Sequence, residues 1–254
     1  MIHICTIAAH DTSNGAGITR DCIVANDFGI WAHPVVTAIT MQTFKNVYTI
    51  IPLSAASTSA QLSFTIQNFT IKAIKIGMLY QKETIEAVAG ILRKFPVDHV
   101  VIDPVMFSSG NQPILLEEAY QTFMEQLLPL ATLITPNKQE LEFISGGQLK
   151  NIEEALIEAR KISTNLNASI LVKGGHFDGY VLTDYLVDKN NIAEVRHERR
   201  YYIYHHGSGC VLSTALTCTL VQGYEPQKAL QMAADYTTKY FDGVNISMLP
   251  DEPV

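Results

Sequence analysis

The sequence predicts an α/β protein: a mostly parallel central sheet with helices on both faces. Three observations predict it. Short Val- and Ile-rich runs recur without polar alternation, as in strands covered on both sides. Longer stretches with apolar residues at helical spacing separate them, long enough for parallel crossovers. Most runs also end in glycine, acidic or basic residues. In open α/β sheets ligands bind beyond the carboxyl ends of the strands, so this third observation locates a site as well.

The strand-like runs are residues 4–9, 35–39, 73–76, 100–102, 133–135 and 170–172. Between them, residues 82–95 carry Ile85, Val88, Ala89 and Leu92 at helical spacing, and 117–128, 152–166, 211–221 and 226–241 follow the same rule. Residues 179–202 read differently. A run from Val181 to Val187, a polar Lys189-Asn190-Asn191 turn and a second run over 192–204 predict antiparallel strands at one edge. No linker and no repeat divides the chain, so residues 1–254 are expected to form a single domain.

Composition narrows the function classes. The 254 residues are 47% hydrophobic and 17% charged, which suits a large core. A net charge of -7, with Arg196, Arg199 and Arg200 as the one dense basic patch, argues against nucleic acid as a partner. Residues 1–9 read as a buried strand rather than a signal peptide, and no apolar run has the length of a membrane span. The four cysteines form no Cys-x-x-Cys pair, so neither zinc nor a disulfide framework is indicated. A cytoplasmic protein is expected.

The strand ends carry the chemistry. His206-Gly207-Ser208-Gly209-Cys210 precedes a helix-forming run. Such a loop aims backbone N–H groups at one point, and the helix behind it adds partial positive charge. Cys210 in that field is expected to favour its thiolate. Asp103 ends a strand before Pro104, either as a turn cap or as an acid near phosphates and magnesium. Asn137 and Glu140 have the spacing of a capping box, and Glu140 could equally hold magnesium through water. Lys173, between a strand and two glycines, either neutralises phosphate or reaches water as a plain strand-end lysine. His10, His176, His205 and His206 have no metal spacing and read as hydrogen-bonding loop residues. Met41, Met78 and Met106 read as packing residues. The P-loop and the dinucleotide fingerprint are absent. A Cys-His hydrolase built on Cys210 lacks an orienting third residue.

Taken in order, these motifs resemble the hydroxymethylpyrimidine and phosphomethylpyrimidine kinases of thiamine biosynthesis, and the related pyridoxal kinases. The resemblance rests on residues 8–21, 37–43, Lys75-Ile76-Gly77-Met78-Leu79, Asp103-Pro104-Val105-Met106, 128–137, Val172-Lys173-Gly174-Gly175-His176 and His206-Gly207-Ser208-Gly209-Cys210. It implies a ribokinase-like three-layer fold, ATP and Mg2+, a small-molecule hydroxymethylpyrimidine substrate and a homodimer, to which the edge strands also point. Sugar kinases of this fold have an aspartate where Cys210 stands. By resemblance Cys210 is the base or hydroxyl-polarising group, and the N–H groups of Gly207, Ser208, Gly209 and Cys210 form an anion hole. Lys173 contacts ATP phosphates, Asp103 and Glu140 organise magnesium, and Asn137 supports them. Gln42 reads the pyrimidine edge, and Asp21, Met78 and Val105 complete the substrate pocket.

The first loop departs from the family pattern. Ala9 replaces a glycine, His10 a hydroxyl residue and Asn14 a later glycine. Thr43 stands for the usual asparagine, and His205 for threonine. The phosphoryl-transfer positions are intact. Two alternatives stay open: a pyridoxal or pyridoxine kinase, and a binding paralogue without turnover.

Overall fold

The computed structural model describes residues 1–108, 112–176 and 181–247. Among them, nine strands form one sheet in the order β3-β2-β1-β4-β5-β6-β7-β8-β9. The strands are β1 (His3–Asp11), β2 (Trp31–Gln42), β3 (Val47–Pro52), β4 (Ile71–Ile76), β5 (His99–Ile102), β6 (Leu133–Ile134), β7 (Ser169–Val172), β8 (Val181–Val187) and β9 (Ile192–Glu198). The six from β2 to β7 pair in parallel, while β3, β8 and β9 run antiparallel at the edges. Together with the helices on both faces, this is the α/β architecture expected.

Alternate residues of each central strand feed opposite cores. Val100 and Ile102 of β5 join one cluster and Val101 the other. The first cluster packs α2 (Ala55–Asn68), α3 (Lys82–Lys94), α5 (Lys138–Ser145) and α6 (Ile152–Leu166) on one face. The second includes α1 (Gly17–Asp27), α7 (Ser208–Val221) and α8 (Pro226–Ser247). Residues 117–128, expected to form a regular helix, belong to a segment 117–130 that instead passes through a 3-10 turn, one α turn (α4, Tyr120–Thr122), a π turn and a second 3-10 turn. Pro129 sits at the start of that last turn, where its missing N–H interrupts the helical ladder.

β3, α1 and α2 were not anticipated from sequence, and of α5 only the capping box at its start was. The helix expected from Val211 starts three residues earlier, so Ser208, Gly209 and Cys210 are its first turn. The second edge strand ends at Glu198 rather than 204. Residues 179 and 180 of the expected hairpin lie outside the described residues. Chain order reverses around β1, whose neighbours are β2 and β4. Such a switch point opens a crevice at the strand ends. The loops following β1, β4, β5, β6 and β7 all reach it.

Candidate active site

The crevice is a cavity of about 710 Å³. Its walls include Gln42, Met78, Asp103, Val105, Asn137, Glu140, Lys173, Gly207, Ser208, Gly209 and Cys210. The structure thus gathers eleven of the twelve residues picked from sequence.

Its floor is the start of α7. Gly207 caps this helix at φ 83°, a left-handed conformation that a side chain resists. A Cβ there would overlap the carbonyl of Gly15, so the loop after β1 lies directly on the loop before α7. The Ser208 N–H donates to the His205 carbonyl at 3.1 Å, closing the turn. Gly209 and Cys210 are the next helical residues, whose N–H groups have no acceptor within a helix. Of the four N–H groups expected to form an anion hole, that of Ser208 is already spent on the turn. Gly209 also admits the charged groups opposite: a Cβ on it would lie 3.5 Å from Asp103 Oδ2 and 3.8 Å from Lys173 Nζ.

The expected Cys210 thiolate is not supported. Burial pushes the thiol up to about 11, and the charges of Asp21 and Asp103 add to it. Lys75 and the Gly17 N–H pull the other way, but the loss of water outweighs them. Cys210 is a neutral thiol at pH 7.

Two carboxylates face the cavity. Asp103 accepts from Thr135 Oγ1 at 3.0 Å and Ser213 Oγ at 3.3 Å, and Lys173 Nζ lies 3.9 Å away. Glu140 closes a capping box with Asn137: its side chain accepts the Asn137 N–H at 2.8 Å, and Asn137 accepts the Glu140 N–H at 2.9 Å. The capping role is therefore real, and the same carboxyl also lines the cavity. Burial and then the Asp103 charge push Glu140 up to about 7, while Lys173 and two backbone N–H bonds restrain it. No group of three or more potential metal ligands occurs among the described residues. A hard cation that keeps several waters and shares phosphate oxygens needs only one or two carboxylates, and Asp103 with Glu140 fits magnesium on those terms.

At the other end, Gln42 donates to Thr40 Oγ1 at 3.0 Å. The Met78 carbonyl accepts from Thr37 Oγ1 at 2.7 Å, and the Val105 N–H donates to the Asp103 carbonyl at 2.8 Å. Asp21 is the exception among the expected residues. It is fully buried on α1 behind the cavity wall, and Lys75 Nζ donates to both its oxygens at 2.9 Å. Thr6 and Thr214 add bonds of 2.5 and 2.8 Å. Its role is structural: it neutralises a lysine buried in β4 beneath the start of α7. Burial opposes the Lys75 charge, yet Asp21 holds the ammonium above its ordinary value.

Two pairs escaped the sequence reading. Asp11 accepts from His206 Nε2 at 2.9 Å across the seam between the two loops. Burial alone would raise Asp11, but bonds from His206, Ser13 and Ala16 bring it to about 2. Asp184 on β8 accepts the Gly174 N–H at 2.8 Å and meets His197 of β9 at 3.1 Å. Asp11 ends a strand just as Asp103 does, and that was the available signal; nothing local marked the Asp184–His197 pair.

Comparisons with known proteins place the whole chain. The phosphomethylpyrimidine kinase family matches residues 11–248. The hydroxymethylpyrimidine/phosphomethylpyrimidine kinase of Rhizobium meliloti is 34% identical over 91% of this chain and 87% of its own. The crystal structure of phosphomethylpyrimidine kinase from Clostridium difficile 630 superposes with a TM-score of 0.84, at 33% identity over 94% of this chain and 99% of that one. The ADP complex of Bacillus subtilis pyridoxal kinase gives 0.85, at 32% identity over 94% and 91%. By these matches the chain belongs to the phosphomethylpyrimidine kinase family.

Proposed function

We propose that the chain acts as one kinase domain, transferring the terminal phosphoryl group of ATP to 4-amino-5-hydroxymethyl-2-methylpyrimidine and then to its monophosphate. The observation that carries this reading is the convergence at one cavity of the α7 N-terminus and Cys210 with Asp103, Lys173 and Glu140. The names of the relatives support the pyrimidine substrate.

In this mechanism the substrate hydroxyl oxygen attacks the terminal phosphorus, and the bond to the ADP oxygen breaks. The Gly209 and Cys210 N–H groups and the helix dipole stabilise the charge on the transferred group. Lys173 binds the polyphosphate. Asp103 and Glu140 are the residues that would hold Mg2+, which when bound offsets phosphate charge and the carboxylates' mutual repulsion. In a loose transition state the hydroxyl proton leaves late and passes to an oxygen of the transferred phosphoryl group, so no strong base is required. Cys210, as a neutral thiol, orients and polarises that hydroxyl. Gln42 offers a donor and an acceptor to the ring edge, with Met78 and Val105 as apolar neighbours.

The proposal extends to a cytoplasmic homodimer. Four unpaired cysteines suit a reducing compartment. The β2–β3 ribbon, whose edge strand has no outer partner among the described residues, exposes Ile39, Met41, Tyr48 and Ile51. Among the described residues no helix is long and apolar enough to cross a membrane.

Pyridoxal phosphorylation is the second reading, favoured by the match to the Bacillus subtilis pyridoxal kinase. The test is ATP-dependent turnover, with magnesium, of hydroxymethylpyrimidine, its monophosphate and pyridoxal side by side. Conversion of the monophosphate to the diphosphate supports the first reading. Turnover of pyridoxal alone supports the second. Ligand binding without any turnover would sink both in favour of a binding paralogue.

A further inference from the structure

The edge hairpin carries a feature that the mechanism above does not use. Its residues Asp184 and His197 line the same cavity as Lys173. Leu182 and His197 are direct cross-strand partners, and Asp184 and Val195 are the next pair on the same face. One Asp184 oxygen accepts the Gly174 N–H and the other meets His197 Nε2. Arg199, two residues beyond His197, donates to the Gly175 carbonyl at 3.2 Å. A Cβ on Gly174 would overlap the Thr183 backbone, so the turn after Lys173 is pressed against β8. The hairpin therefore holds the phosphate-binding turn and places an imidazole in the wall beside it. Leu182, Leu212, Ala234, Thr237 and Thr238 line the cavity as well, an apolar and hydroxyl-bearing surface suited to a nucleoside.

We propose that His197 is a nucleotide-contacting residue whose imidazolium form, held by Asp184, strengthens binding of a nucleoside polyphosphate. The inference rests on the kinase reading above. The charged groups that face His197 are Asp184 from β8 and Asp235 from α8, with Arg196, Glu198 and Arg199 adjacent on its own segment. The Asp184 hydrogen bond raises the imidazole above its ordinary value, with burial opposing and Asp235 contributing a smaller increase. A phosphate arriving beside the pair favours the same charged form, so binding takes up protons.

The experiment is calorimetric titration of ADP in excess magnesium chloride between pH 6 and 8.5, in buffers of different ionisation enthalpy. Wild type, His197→Gln and Asp184→Asn are compared; the nucleotide's own protonation is common to all and cancels in the differences. Wild type should take up more protons than His197→Gln, and its affinity should fall about tenfold further across the range, the scale of one charge-assisted bond. Asp184→Asn, which keeps an acceptor for Gly174, should move that fall to lower pH. Equal proton uptake in wild type and His197→Gln, or a loss of affinity that is the same at every pH, would overturn the inference and leave the kinase reading intact. Wild type that binds no ADP at any pH would overturn both.

Discussion

Gly207→Ala tests whether the two interlocked loops set the anion hole. At φ 83° an alanine costs about 1–2 kcal/mol in backbone strain alone. Its Cβ would also overlap the Gly15 carbonyl oxygen, 3.0 Å from the carbonyl carbon and 3.2 Å from Ala16 Cα. These are backbone atoms, so relief requires the loops to part. Parting strains the Asp11–His206 bond at 2.9 Å, and hydrogen bonds to charged groups are worth about 1.5–3 kcal/mol. The sum is about 3–5 kcal/mol, which at roughly 2–4 °C per kcal/mol lowers the melting temperature by about 6–20 °C. The first-turn N–H groups move with the loop, and a displacement approaching 1 Å costs on the order of 100-fold in turnover. Gly223→Ala is the control, because Gly223 has φ 84° but nothing within 4 Å of its Cβ position. It should lose only the strain and keep full turnover. The assays are thermal unfolding and steady-state phosphorylation. If the two variants lose equal stability and Gly207→Ala retains turnover, the loop contact does not position the hole.

Three further outcomes follow from the same structure. With its thiol near 11, Cys210 should react slowly with iodoacetamide at pH 7 and faster as pH rises, and Cys210→Ala should lose turnover by orders of magnitude with ADP affinity unchanged; rapid labelling at pH 7 would contradict the neutral thiol. Glu140, raised from 4.5 to about 7, binds its proton more tightly when folded, so without divalent cation the folded protein should lose about 3 kcal/mol between pH 4.5 and 7 and nothing more above that. Urea unfolding should show most of that slope gone in Glu140→Gln, and an unchanged slope would assign it elsewhere. Lys75→Met leaves Asp21 buried without its cation and should cost about 3–5 kcal/mol, whereas the double variant Lys75→Met/Asp21→Asn should recover part of it; simple additivity would show the pair to be uncoupled.

What could be read in the sequence follows a physical boundary. Buried parallel strands announce themselves because both faces must be apolar, and so residues 100–102 and 170–172 were legible. β3 was not, since its residues are all partly or fully exposed at an edge. α2 is rich in Ser and Thr and starts from a Ser54 cap, with weak apolar spacing. Strand-end residues were legible one at a time, because each interrupts an apolar run. Partners were not. Asp11 and His206 are 195 residues apart, and Lys75 and Asp21 are 54 apart; only strand order brings them together. Asp21 was misplaced for that reason: its chemistry suits a ligand, and only the topology shows Lys75 already occupying it. Cys210 shows the second boundary. The helix was read to within three residues of its start, but the field of a helix end is worth up to about 2 kcal/mol, which the desolvation of the Cys210 thiol exceeds. Charge near a site can thus be located from sequence, while its sign of effect on a neighbour depends on how much water the fold removes. The same reasoning makes His197 informative: it is half-buried beside a carboxylate, where the partner outweighs the lost water and the protonated form is favoured.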